Sequence, residues 1–128
     1  MKLLVDTHLL IWSTTDPSKL SEAARKMLTD GENEYYFSSA SIWEIAIKRR
    51  KHPEDMPMSA AVARQLFAEV GCVELPVLSR HSAEVENLPA IHADPFDRML
   101  VAQSRLEGMR LLTHDGILSE YGDFVIKV

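Results

Sequence analysis

One cysteine, Cys72, is all the thiol chemistry this chain has. It excludes an internal disulfide and points to a reducing compartment. Long apolar runs are also missing: none approaches the roughly 18 residues of a membrane span. The N-terminal stretch does not read as a secretory signal, because Asp6 and His8 interrupt its apolar region. A cytoplasmic protein with no membrane partner is expected. Positive charge is the minority, with 14 Lys and Arg against 19 Asp and Glu and a net charge of −5. That balance excludes a protein that holds nucleic acid by charge alone. It leaves a nuclease open, since clustered active-site acids inflate the negative count and bound divalent cations reverse the local sign. No Gly-x-Gly-x-x-Gly follows the first strand and no Walker loop occurs, which argues against a nucleotide cofactor. There is no Gly-x-Ser-x-Gly nucleophile elbow. One cysteine and scattered histidines give no compact zinc set. Repeats and low-complexity segments are absent.

What remains is an ordinary globular composition, 46% hydrophobic over 128 residues, which suits one domain spanning 1–128. Leu3-Leu4-Val5 is a short continuous apolar run, as expected of a strand buried on both faces of a parallel sheet. Leu9 to Trp12 extends the apolar character into a short helix, broken at Asp16-Pro17. Leu20, Ala23, Ala24, Met27 and Leu28 recur at helical spacing, with Ser21 near the start and Asp30-Gly31 closing the helix. Glu34 to Ser38 reads as a second strand. A helix then opens at Ser39 to Ser41 and ends in the basic run Lys48 to His52 before Pro53. Ser59 is a candidate cap for a helix carrying Val62, Leu66 and Val70. Cys72 to Pro76 predicts a third strand, and Ser82 to Leu88 a small helix. Asp94-Pro95-Phe96-Asp97 begins a strong helix, with Pro at its first position. Arg110 to Thr113 and Phe124 to Val128 are the fourth and fifth strands. Strands alternating with helices predict an α/β fold with a mainly parallel five-stranded sheet and helices on both faces.

The acids are the notable feature. Asp6 closes the first strand, where open α/β sheets place their functional crevice; it also suits a turn or an N-cap. Glu44 closes Ser41-Ile42-Trp43-Glu44, a formal capping box, yet it is a charge inside an apolar stretch. Asp94 suits the N-cap and Asp97 the third position of its helix, where both complement the dipole. Asp115 precedes Gly116, an ordinary turn signal, but again follows a strand. Each acid has a structural explanation by itself. Together, Asp6, Glu44, Asp97 and Asp115 fall at matching ends of alternating elements, and acids converging on one crevice need a cation. Mg²⁺ or Mn²⁺, which prefer oxygen ligands, would suit such a set and support phosphodiester hydrolysis. Cys72 reads as a strand residue, and His8, His92 and His114 read as hydrogen-bonding or solvent-facing groups.

Four segments carry a resemblance. Val5-Asp6-Thr7-His8-Leu9-Leu10-Ile11-Trp12, Ser41-Ile42-Trp43-Glu44-Ile45-Ala46-Ile47-Lys48, His92 to Gln103 and Leu112-Thr113-His114-Asp115 together resemble the PIN-domain family. Within it they look most like the VapC-type toxins of bacterial toxin–antitoxin modules. The resemblance covers nearly the whole chain, with the motifs in the family's order. It implies a compact α/β/α domain and a Mg²⁺- or Mn²⁺-dependent endoribonuclease acting on single-stranded or loop RNA. Asp6, Glu44, Asp97 and Asp115 would be the acidic quartet, with Asp6 and Asp97 the direct ligands and Glu44 and Asp115 bound directly or through water. Thr7 and Thr113 would orient waters or ligands, and Asp94 is a second-tier candidate. The implied partners are RNA, a small antitoxin encoded beside the toxin, and further copies in a homodimer or higher oligomer.

On that reading Lys48, Arg49, Arg50 and Lys51 could contact RNA phosphates, and Arg98 could contact phosphate or pair with an acid. For most of the basic run a solvated helix end is preferred, because the crevice lies at the other end of that helix. Rival readings keep the fold: a nuclease of RNA processing or DNA cleavage, or a non-catalytic binding module.

Overall fold

The structure, a computed structural model, describes residues 1–128. The first strand, β1 (Lys2–Val5), lies at the centre of the sheet, and Leu3, Leu4 and Val5 are wholly buried. It pairs in parallel with β2 (Glu34–Ser38) on one side and β4 (Arg110–Thr113) on the other, with Leu4 opposite Tyr36 and Leu111. The short strands β3 (Val73–Leu75) and β5 (Val125–Lys127) complete the order β3-β2-β1-β4-β5. Every pairing is parallel. The sheet is therefore five-stranded as expected, and parallel throughout rather than mainly so.

The two-residue period of a strand divides β1 between two cores. Leu3 and Val5 pack with Leu9, Leu10, Phe37, Ile45 and Phe67 on one face. Leu4 packs with Leu100, Val101, Leu111 and Leu118 on the other. Helices α1 (Thr7–Thr15), α2 (Glu22–Thr29), α3 (Ser39–Lys51) and α4 (Ala60–Glu69) supply residues to the first core. Helix α6 (Pro95–Glu107) supplies the second. It stops at Gly108, whose φ of 65° is left-handed and costs glycine little. No helix is long and apolar enough to cross a membrane.

Two helix starts differ from the sequence reading. Helix α3 leaves β2 without a loop, so its cap is Ser38, whose Oγ accepts the Ala40 N–H at 3.0 Å. The Ser41–Glu44 pair is therefore not a capping box: Ser41 lies in the first turn and Glu44 beyond it. Helix α5 (Ser79–Glu84) begins three residues before Ser82, and Val85–Asn87 follows as a 3₁₀ turn. The cause is tertiary. His81, fully buried, accepts the Leu78 N–H at Nδ1 (2.9 Å) and reaches Glu107 Oε1 of α6 through Nε2 (2.8 Å). No periodicity announces that contact.

The chain moves outward from β1 to β3, then returns to lay down β4 and β5 on the opposite side. The direction reverses between β1 and β4, and a crevice opens beyond the carboxyl ends of strands at such a point.

Candidate active site

Asp6 stands at that crevice and is only 3% exposed. Its Oδ1 accepts the Leu9 N–H at 2.9 Å and so caps α1. Its Oδ2 accepts the Thr113 hydroxyl at 2.5 Å and lies 3.3 Å from both the His114 N–H and His114 Nδ1. The capping and the crevice positions are thus the same position. Burial pushes the Asp6 carboxyl up, but the hydrogen bonds from His114, Thr113 and Leu9 outweigh it and hold its pKa below the ordinary value. The bond to Asp6 raises His114 in turn, against the opposing effect of burial.

Glu44 enters the same crevice from the second turn of α3, 3% exposed, with the Lys48 Nζ 2.6 Å from its Oε2. Thr7 Oγ1 donates to Ser41 Oγ at 2.8 Å and ties the start of α1 to α3. Asp115 follows β4. Its Oδ1 caps the next 3₁₀ turn at Ile117 N–H (2.9 Å), and its backbone N–H donates to Thr113 Oγ1 (3.0 Å). Its second oxygen, Oδ2, faces His92 Nε2 at 3.0 Å. Asp94 caps α6, with Oδ1 accepting the N–H groups of Phe96 (2.8 Å) and Asp97 (3.1 Å).

Asp97, in the first turn of α6, has the least support. The nearest positive or donor group is His92 Nε2, 3.5 Å from Oδ2. Burial, then the charges of Asp94 and Glu44, push its pKa up to about 7; His92 opposes the rise, and Asp6 adds to it. A carboxylate in this condition lacks a counter-charge. His92, Asp97 and Asp115 offer ligand atoms that all lie within 4.8 Å of one another. The carboxylate oxygens of this set fit a hard divalent cation such as Mg²⁺ or Mn²⁺.

A sequence model of the PIN domain matches residues 3–123. The chain belongs to the PIN domain family. PIN domains are generally nucleases that use divalent metal ions. No curated protein matches the chain by sequence.

In this PIN domain the structure draws Asp6, Glu44, Asp94, Asp97 and Asp115 to one edge of the sheet. It does not do the same for all the basic candidates. Arg98 is turned away from phosphate: its guanidinium donates to the carbonyls of Pro89 (2.9 Å) and Val85 (3.0 Å) and to Tyr121 Oη (3.1 Å). It pairs with no acid, and its planar fork suits the work of gathering carbonyls. Arg49 points at the Pro53 and Met56 carbonyls and pins the loop after α3. Lys48 goes the other way. It lies on Glu44 while its side chain stays partly exposed, because one helical turn separates the two.

His92, expected from the sequence to be a hydrogen-bonding or solvent-facing group, stands within the site. The Asp94 N–H donates to its Nδ1 at 3.0 Å, so the proton of the neutral ring sits on Nε2 and faces Asp97 and Asp115. The available signal was its place two residues before the Asp94-Pro95 helix start. The segment bearing His92 is held by Arg98. Arg98→Ala is expected to destabilise the protein by about 1–3 kcal/mol, through partly buried carbonyls left unpaired. Urea unfolding measures this; an unchanged midpoint would remove the clamp assignment.

Proposed function

We propose that this PIN domain is a Mg²⁺- or Mn²⁺-dependent endoribonuclease, and the growth-inhibiting toxin of a VapBC-type toxin–antitoxin pair. The observation that carries the nuclease reading is the convergence of Asp97 and Asp115 with His92, their ligand atoms within 4.8 Å of one another and neither acid paired with a Lys or Arg. Asp6, Asp97 and Asp115 would hold the cation, with Glu44 and His92 beside them and Asp94 in reserve. When bound, the cation would supply a water activated for attack on an RNA phosphodiester and neutralise charge on the phosphate.

The chain's own groups then have separable tasks. The Thr113 hydroxyl and the His114 N–H fix the orientation of Asp6. His92, with its proton on Nε2, sets the spacing of Asp97 and Asp115. Lys48 balances Glu44 and presents further ammonium donors to a phosphate oxygen. For the toxin reading, the supporting surface is an apolar groove beside the acids, lined by Trp43, Val77, Val85, Phe96 and Met99. Trp43 is 63% exposed there, and a short antitoxin covering it would also cover the crevice. Self-association into a homodimer belongs to the same proposal.

Purified protein incubated with structured cellular RNAs and Mn²⁺ is expected to cut them, and EDTA to stop the cutting. Expression in bacteria should arrest growth, with relief by the product of an adjacent small gene. RNA left intact under Mn²⁺, in a sample free of any co-purifying small chain, overturns the nuclease. Cutting without growth arrest overturns the toxin and leaves an RNA-processing nuclease.

A further inference from the structure

A second cleft, of about 580 Å³, runs from the acid site between α1 and the end of α3. Ile11 and Met56 form its apolar floor, and His8, Trp12, Lys19 and Lys48 stand around it. Lys48 marks the inner end, since its Nζ is 2.6 Å from Glu44 Oε2. The cleft and the acids are therefore continuous. Trp12 is fixed in place by two imidazoles, His114 at 4.9 Å between ring centroids and 66° between planes, and His8 at 5.8 Å and 52°. Because His114 also bonds Asp6, the indole is tied to the acid site through one side chain.

We infer that this cleft binds one nucleotide of single-stranded RNA adjoining the scissile phosphate, its base against Trp12 and its phosphate between Lys48 and Lys19. The inference rests on the nuclease reading for its position relative to the cut, though not for its chemistry. A half-buried indole flanked by ammonium groups is the pairing that takes a nucleotide: every base has a face to stack, and every linkage has a charge to balance. A double strand is excluded, because its bases are already stacked on one another. Carboxylates limit the length of the subsite. Asp16, Glu54 and Asp55 stand around the same cleft and repel a further phosphate. The apolar groove at Trp43 has no cation along it and does not share this character.

The test uses a fluorescein-labelled single-stranded RNA octamer, titrated with the whole protein in Ca²⁺ and read by anisotropy. Lys19→Glu and Trp12→Leu are each expected to weaken binding about tenfold. Lys26→Glu, an identical charge change on the exposed face of α2, should leave it unaltered. RNA should quench the wild-type tryptophan emission, and Trp12→Leu should remove that quench while Trp43 remains. Trp12 touches His114, so Lys19→Glu serves as the second variant; its melting temperature should rise with Mn²⁺ as the wild type's does. Wild-type affinity in both cleft variants, equal losses in Lys26→Glu, or no binding by the wild type overturns the inference. Binding that depends on Lys19 and Trp12 without any Mn²⁺-dependent cutting would sink the nuclease and keep the cleft. Normal cutting with binding indifferent to both would do the reverse.

Discussion

An Asp97→Asn protein is expected to lose metal-dependent RNA cleavage by roughly a hundred- to a thousandfold, and at the same time to become more stable without metal. The two effects have one cause. Asp97 is a carboxylate whose charge is opposed by burial, by Asp94 and by Glu44, with only His92 at 3.5 Å to favour it. An amide of the same shape removes the repulsion and also removes the charge a cation needs. The activity loss follows the usual cost of deleting a charged group that stabilises the reacting centre. The stability gain should be about 2 kcal/mol at pH 8, reduced from the full shift because Asp97 is partly exposed and its charge favours the N-terminus of α6. Cleavage rates with Mn²⁺ and urea midpoints in EDTA measure the two arms. A variant that is inactive and also less stable would point to a structural role for Asp97 in place of an electrostatic one.

Mn²⁺ at about a hundred times its dissociation constant is expected to raise the melting temperature by roughly 10 °C at pH 8, from about 2.7 kcal/mol of linkage. The gain should shrink toward pH 6. Asp97 has a folded pKa near 7 against 3.8 for the free group, so the folded state binds the extra proton. Its contribution is present below about pH 4 and is lost as pH rises to about 7. Metal competes with that proton, so it gains grip over the upper part of the same interval. His114, also raised, adds a loss of the same sign as pH climbs past its unfolded value. Asp6, held low, acts oppositely: its contribution is present above 3.8 and disappears on acidification through its folded pKa. Subtracting the Asp97→Asn melts from those of wild type isolates Asp97 from the other two. A wild-type melt indifferent to Mn²⁺ and Mg²⁺ at pH 8 would remove the metal site.

Much of the fold was legible because its signals are local. Leu3-Leu4-Val5 is apolar without alternation, and a strand covered on both faces needs that. Asp94-Pro95 marks the start of α6 by a missing N–H and a side-chain acceptor, both properties of adjacent residues. Asp6 and Asp115 were legible as acids beyond strand ends for the same reason. What failed was pairing across distance. The Ser41–Glu44 spacing satisfies a capping box, yet β2 runs directly into α3 and leaves Ser38 at the cap. Lys48 and Arg49 are neighbours of like charge, and one residue of helical rotation sends one to Glu44 and the other to loop carbonyls. Arg98 sits beside Asp97 in sequence, but successive helix residues do not face each other, and it gathers carbonyls instead.

The sequence by itself determined the alternation of strands and helices, the parallel sheet and the placing of acids at strand ends, since hydrophobic period, caps and turns act over a few residues. The tertiary structure alone decided which groups share a charge. His92 becomes a neighbour of Asp115 only when the start of α6 meets the end of β4, and His114 a neighbour of Asp6 and Trp12 only once β1 and β4 lie side by side. A titration shift such as that of Asp97 is the sum of burial and charges from several elements, and no short stretch of chain contains that sum.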